Sequence, residues 1–174
     1  MTVVITGIMA SGKSTVAQAL AERLPRAAHV RGDVFRRMIV SGGEGMSPSP
    51  SPEALRQLRL RYRLAASTAD TYAEAGFIPV VQDVIIGEEL ATLLGYFRIR
   101  PVRLFVLDPH PHAVEERERR RAKTGYHGFT VAQLHEVLHD QTPRLGLWLD
   151  TTRQSVAETV DEILARWNEA IVDP

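Results

Sequence analysis

Two rhythms of apolar and polar positions alternate along this chain, and the switches between them lay out its elements. Short β-branched or continuously apolar runs at 2–6, 28–31, 77–82, 102–107 and 145–149 predict five strands bounded by turn residues. Between them apolar positions recur every three to four residues, the spacing of a helix with one buried face. Val16, Ala19, Leu20 and Leu24 carry that spacing over 13–24, and Pro25 stops it. Leu55, Leu58, Leu64 and Ala65 mark the expected stripe of a long helix over 53–75. Further helices are expected at 34–40, 88–97, 114–122, 130–140 and 156–171, with Asp33 as N-cap of the first of these. Trp148 and Trp167 are expected in the core.

Strands alternating with helices imply an α/β fold of three layers, a five-stranded parallel sheet with helices on both faces. Right-handed crossovers bring all carboxyl ends of the strands to one edge, where ligands bind in such sheets. The loops at Gly7, Asp33, Asp83, Asp108 and Asp150 should open there. The 174 residues fit a single domain over 1–174. Gly, Ser and Pro supply ten of the twelve residues at 41–52, a composition that predicts a mobile surface loop.

Composition narrows the chemistry. Lys plus Arg and Asp plus Glu both number 21, so the net charge is zero and a strongly basic nucleic-acid coat is excluded. No cysteine is present, which removes disulfides, zinc–thiolate sites and a thiol nucleophile. No apolar run is long enough to span a bilayer, and residue 2 leads straight into a strand-like run with no leader pattern, so a cytoplasmic location is expected.

Gly7-Ile8-Met9-Ala10-Ser11-Gly12-Lys13-Ser14 satisfies G-x-x-x-x-G-K-[ST] at every fixed position, after a strand and before a helix. Glycines let such a loop wrap a phosphate with its N–H groups turned inward, and the helix N-terminus adds partial positive charge. The loop, with Gly7, Ala10, Ser11 and Gly12, is expected to bind the nucleotide. Lys13 should reach the β and γ phosphates, Ser14 should ligate Mg²⁺, and Thr15 should meet the α phosphate. Guanine-reading switches carry an N-K-x-D element; the single asparagine here is Asn168 in the last helix, so ATP is expected.

Asp33 follows the second strand, twenty residues after Lys13, with Arg36 and Arg37 just beyond. A carboxylate there can take the proton of an attacking hydroxyl, and the arginines can hold a polar acceptor. Asp83 ends the third strand, where it would either hold Mg²⁺ through water or face the acceptor. In Glu115–Arg121, EERERRR, the pairs Glu115–Arg119 and Glu116–Arg120 are expected at i,i+4. Arg117 and Arg121 then share a face as like charges, a conflict that a triphosphate held beneath a lid would relieve. The lid is placed at about 111–128. After the last strand, Arg153 is a candidate to stack on the base.

His135-Glu136-x-x-His139 also satisfies H-E-x-x-H, the two-histidine zinc motif of metalloproteases. No histidine follows His139, and a strand-like run separates it from Glu158 and Glu162. The favoured reading is a polar helix face with Leu134 and Leu138 on the buried side.

Taken together, the phosphate loop at 7–14, Asp33, Asp83-Val84-Ile85-Ile86-Gly87, Arg117, Arg121 and Leu149-Asp150-Thr151-Thr152 resemble the chloramphenicol phosphotransferase-like P-loop kinases. Gluconate, shikimate and adenylyl-sulfate kinases and zeta toxins are their wider relatives. The resemblance implies the P-loop kinase fold with a small lid, ATP, Mg²⁺ and phosphoryl transfer to a small-molecule hydroxyl. It also implies Asp33 as base and Arg117 and Arg121 as lid arginines. The alternatives are a 5′-hydroxyl polynucleotide kinase and a nucleotide-binding regulatory switch without an acceptor.

Overall fold

A computed structural model describes residues 1–120 and 128–172. Its centre is β1 (Thr2–Thr6), buried at all five positions because helices cover both of its faces. β3 (Ile78–Gln82) lies on one side of it and β4 (Val102–Leu107) on the other. β2 (Ala27–Arg31) and β5 (Leu147–Leu149) complete the parallel order β2-β3-β1-β4-β5. Strands buried on both faces have no polar side to alternate with, which is why they read as continuous apolar runs.

Alternate residues of the strands serve two cores. Val3 and Ile5 face α1 (Lys13–Arg23) and α7 (Val156–Ala165), packing with Leu20, Phe105, Val160 and Ile163. Val4 faces the other way, with Tyr62, Leu90, Leu94, Leu104 and Val106. The helices on that face are α3 (Pro52–Glu74) and α4 (Glu89–Tyr96), joined by residues of α5 (Pro111–Arg119) and α6 (Val131–Glu136). α2 (Gly32–Arg37) is a short helix against α3. No helix of the described residues is long and apolar enough to cross a membrane.

Several expectations need correction. The last helix ends at Ala165 rather than at 171, and Ile171–Val172 forms a short β6 antiparallel to β4. Arg103 of β4 fixes that turn by donating to the Trp167 carbonyl at 3.1 Å and to Asn168 Oδ1 at 3.2 Å. The stripe of α3 is Ala54, Leu58, Tyr62, Ala65, Ala66 and Ala69; Leu64 is 41% exposed. Small residues let that helix approach the sheet closely, and Leu64 falls off the facing side. Trp148 and Trp167 are only partly buried, each covered by an arginine guanidinium, Arg144 at 4.0 Å and Arg103 at 5.1 Å from the ring centroid. The helix expected at 130–140 changes pitch: α6 gives way to a π turn over Val137–Gln141. β5 starts two residues late because Gly146 (φ +67°) packs directly on β4, where a Cβ would lie 2.4 Å from the Leu104 carbonyl oxygen. The 41–52 loop is tethered to α3: Gln57 donates to the Gly42 carbonyl at 2.8 Å and accepts from the Glu44 N–H at 2.8 Å.

Candidate active site

The loop after β1 has the backbone that its sequence demands. Gly7 has φ +146°, and a Cβ there would lie 2.4 Å from the Leu107 carbonyl oxygen, so only glycine fits. Gly12 has φ +96° with open space around the missing Cβ; there it is the backbone conformation that requires glycine. Ala10 also sits at φ +62°, an energetically costly conformation for a residue with a side chain and one that concentrates at functional loops. Lys13 is buried and folds back over the loop, donating to the Ile8 carbonyl at 2.7 Å. The Ser11 hydroxyl is buried with no hydrogen-bond partner among the described residues. Ser14 and Thr15 are exposed in the first turn of α1, and the Thr15 N–H donates to the Gly12 carbonyl at 3.1 Å.

Arg117 ties three elements together. From α5 its guanidinium donates to the Thr151 carbonyl at 3.0 Å and, more weakly, to the Ser11 carbonyl at 3.4 Å. It thus spans the phosphate loop and the loop after β5. That second loop is itself stitched in place. Asp150 Oδ1 accepts from the Thr152 N–H at 3.0 Å and from the Thr152 hydroxyl, and these bonds hold the Asp150 carboxyl below the usual range. The Thr152 hydroxyl accepts from the His110 N–H at 2.8 Å, joining the loop to the start of α5. Arg153 is exposed beside it. The expected Glu116–Arg120 pair forms at 2.5 Å, whereas Arg119 donates to the Glu115 carbonyl instead of its carboxylate. Arg121 and residues 122–127 of the expected lid lie outside the described residues.

Register explains the acidic side. Ile5 and Arg31 both pair with Gln82, so Thr6, Gly32 and Asp83 come next in one row across β1, β2 and β3. Asp83 is 6% exposed and lies against Gly32, where a Cβ would fall 2.0 Å from its Oδ2. Its Oδ1 accepts from the Val84 N–H at 2.8 Å. Its Oδ2 lies 2.9 Å from Arg61 Nε of α3, but the pair is misaligned for a hydrogen bond, and both atoms lack a hydrogen-bond partner among the described residues. Burial pushes the Asp83 carboxyl above the ordinary aspartate value; Arg61, the Val84 N–H and Lys13 pull it back only in part, and Asp33 adds to the rise. Lys13, Asp33 and Asp83 therefore share one electrostatic site. Around it, the Thr6 hydroxyl accepts from the Ile85 N–H at 2.9 Å and donates to the Ile85 carbonyl at 2.7 Å. Tyr62 donates to the Val84 carbonyl at 2.9 Å, and burial drives its phenol strongly upward, so it stays protonated.

Asp33 is not an N-cap. α2 starts one residue earlier, at Gly32, and no side chain caps it, so the Asp33 carboxylate is left for other partners. Arg37 Nη2 lies 2.9 Å from its Oδ2 and Arg31 Nε 3.7 Å from its Oδ1. Arg36 and Arg37 line an open depression of about 190 Å³ with Gly43, Glu44, Gly45 and Gln57.

The structure thus brings Lys13, Asp33, Asp83 and Arg117 to the carboxyl edge of the sheet, as expected. It adds Arg61 and Gly32, which sequence reasoning missed. Arg61 is one of several arginines in α3 and nothing local marks it. Gly32 did carry a signal, a glycine at a strand end directly before Asp33. His135 and His139 meet Asp108, not Glu158 or Glu162. Glu158 closes a capping box with Ser155, and Glu162 pairs with Arg166 at 2.9 Å. Leu134 and Leu138 are buried as expected.

Solved structures share this architecture. A sugar kinase from Janibacter sp. HTCC2649 superposes with a TM-score of 0.71 at 19% identity, covering 97% of this chain and 95% of its own. The tunicamycin resistance protein of Deinococcus radiodurans gives 0.68 at 19% identity, with 99% and 98% covered. The Mycobacterium tuberculosis APS kinase, solved with AMPPNP and APS, gives 0.67 at 20% identity, with 96% of each chain covered. A search of curated proteins gave no significant sequence match. These likenesses establish the P-loop kinase fold. A family model described as an AAA domain matches residues 3–147, most of the chain including the phosphate loop, Asp33, Asp83 and Arg117; the chain belongs to this AAA-domain family of P-loop proteins.

Proposed function

We propose that this protein is an ATP-dependent phosphotransferase that moves the γ-phosphoryl group to a hydroxyl of a small-molecule acceptor. The observation that carries the reading is that Lys13, Asp33 and Asp83 all follow strand ends on one sheet edge, close enough for Lys13 and Asp33 to act on the buried Asp83 carboxyl, while Arg36 and Arg37, just after Asp33, line an open depression.

The donor set suits a hydrated divalent ion and a triphosphate. The Ser11 and Thr151 hydroxyls are buried without hydrogen-bond partners among the described residues, a state that costs about 1–3 kcal/mol per group unless a ligand or water satisfies it, and Asp83 Oδ2 has only its misaligned ion pair with Arg61. Ser14 and Asp83 would hold Mg²⁺, whose contribution is to neutralise phosphate charge. Loop amides and Lys13 bind the β and γ phosphates, and Lys13 exchanges its contact with the Ile8 carbonyl for phosphate oxygen. Arg117 supplies positive charge from the lid side, together with Arg121. Asp33 accepts the acceptor's proton as its oxygen attacks phosphorus in line with the departing ADP. Arg37 keeps the Asp33 carboxylate oriented, and Arg36 and Arg37 bind polar groups of the acceptor. Thr15 and Arg153 contact the nucleotide.

The test is ADP release from Mg·ATP over a panel of sugars, nucleosides, phenicol and aminoglycoside antibiotics and 5′-hydroxyl oligonucleotides. We expect one small-molecule class to raise release well above the acceptor-free rate. Asp33→Ala should abolish the gain, and Lys13→Ala should lower turnover at least about a hundredfold with an unchanged fold by circular dichroism. Stimulation by oligonucleotides alone would instead identify a polynucleotide kinase. Tight ATP binding with no stimulation by any acceptor would favour the switch.

A further inference from the structure

The H-E-x-x-H motif acquires a third partner in the folded chain. Asp108 stands at the carboxyl end of β4, and its backbone N–H donates to the Leu149 carbonyl at 2.8 Å, which fixes it on the sheet. His139 Nε2 lies 2.9 Å and His135 Nε2 4.0 Å from the same carboxylate oxygen, Asp108 Oδ1. The two imidazoles stack at 4.2 Å between centroids with 28° between their planes. All three ligand atoms fall within 4.8 Å of one another. We propose that Asp108, His135 and His139 form a binding site for a divalent transition-metal ion of the zinc type, a second cation site beside that for magnesium and nucleotide.

The chemistry of the donor set points to that class of ion. Two imidazoles and one carboxylate suit zinc and its neighbours, whereas magnesium takes oxygen ligands. Ligand atoms at about 2.0–2.2 Å from a tetrahedral ion stand about 3.3–3.5 Å apart, so the observed spacings need shifts of only about 1 Å or less for the Asp108 pairs. A lone histidine–aspartate hydrogen bond accounts for His139. It leaves unexplained a second imidazole stacked on the first with its Nε2 turned to the same oxygen. The side chains are 20–32% exposed, which leaves an entry path and room for water as the remaining ligand. His110 is close enough to act on His135, but its Nδ1 accepts from the His112 N–H at 3.3 Å.

Both sides of the scaffold are anchored in the fold. Leu134 and Leu138 anchor the histidine-bearing segment in the core. The π turn that carries His139 is held by the Thr142 hydroxyl, which donates to the Val137 carbonyl at 2.9 Å and accepts from the Gly87 N–H at 2.7 Å. Such turns recur at functional sites. A bound ion would clamp α6 and its π turn to the end of β4. The proposal is a binding site and includes no hydrolytic step; Glu136 is exposed.

Tag-free, chelator-stripped full-length protein titrated with Co²⁺ tests it, since the visible absorption of Co²⁺ reports ligand number and geometry. We expect one Co²⁺ per chain, displaced by stoichiometric Zn²⁺ and not by millimolar Mg²⁺. His135→Gln, His139→Gln and Asp108→Asn should each weaken binding at least about tenfold. Zn²⁺ should raise the melting temperature of the wild type and leave that of the variants unchanged. A wild-type titration without a saturating spectrum would overturn the proposal. So would undiminished binding in a His135→Gln/His139→Gln double variant whose circular dichroism is native.

Discussion

At the scale of single residues, the tightest constraint in the site is a missing methyl group. Gly32 has an ordinary backbone conformation, so conformational freedom does not explain it. What requires glycine is Asp83, whose Oδ2, Cγ and Cβ would lie 2.0, 2.5 and 2.9 Å from a Cβ at position 32. Rotating the carboxylate away would separate it from Arg61 and the Val84 N–H. We expect Gly32→Ala to lose about 1–3 kcal/mol of stability in urea unfolding, the usual cost of overpacking a tight interior. Turnover should fall with it. Stability and turnover both at wild-type levels would show that Asp83 has freedom the packing denies. Arg61 was not legible as functional, and Gly32 showed only its place at a strand end before Asp33, because each acts through a residue distant in sequence: Gly32 by giving space, Arg61 by giving charge. Lys13 was legible, because loop, lysine and helix are contiguous.

At the scale of elements, the site depends on α3 being seated against β3. Burial raises the Asp83 carboxyl, and the Arg61 guanidinium delivered by α3 is the largest influence pulling it back. As the proposed magnesium ligand Asp83 must be ionised, so activity should fall as pH drops through its raised pKa. Removing Arg61 raises that pKa further. Arg61→Ala should therefore move the acid limb of the kcat/KM profile to higher pH, while the alkaline limb stays in place. A limb that does not move would remove the pair from the site. The helix over 130–140 makes the complementary point. Its apolar spacing correctly buried Leu134 and Leu138, but periodicity carries no information on the switch from α to π winding. The turn is held by Thr142, which bonds the Val137 carbonyl and the Gly87 N–H, a contact that forms only in the folded chain.

At the scale of the whole molecule, the parallel sheet gathers five strand ends at one edge, and nucleotide binding there should stabilise the entire fold. A ligand bound only by the native state adds about 2.7 kcal/mol at one hundred times its dissociation constant, about 5–10 °C in melting temperature for a chain of this size. We expect a shift of that order from a non-hydrolysable ATP analogue with Mg²⁺, measured by scanning fluorimetry, and little from the same concentration of GTP analogue. Equal shifts would remove the preference for adenine. The chain's own pattern already contained the strand count of the parallel sheet, the position of the phosphate loop and the acidic residues at strand ends. Each of these is local: β-branched runs, a contiguous motif, a residue placed one step beyond an apolar stretch. What required folding was every relation between segments. Register set Asp83 beside Gly32, a helix crossing brought Arg61 to it, and the end of β4 placed Asp108 against His135 and His139. The antiparallel β6 belongs to the same class, since Val172 is buried where it pairs with Val102 of β4. Short-range spacing is written in covalent order, whereas contacts across tens of residues depend on how packed layers bring strand ends together.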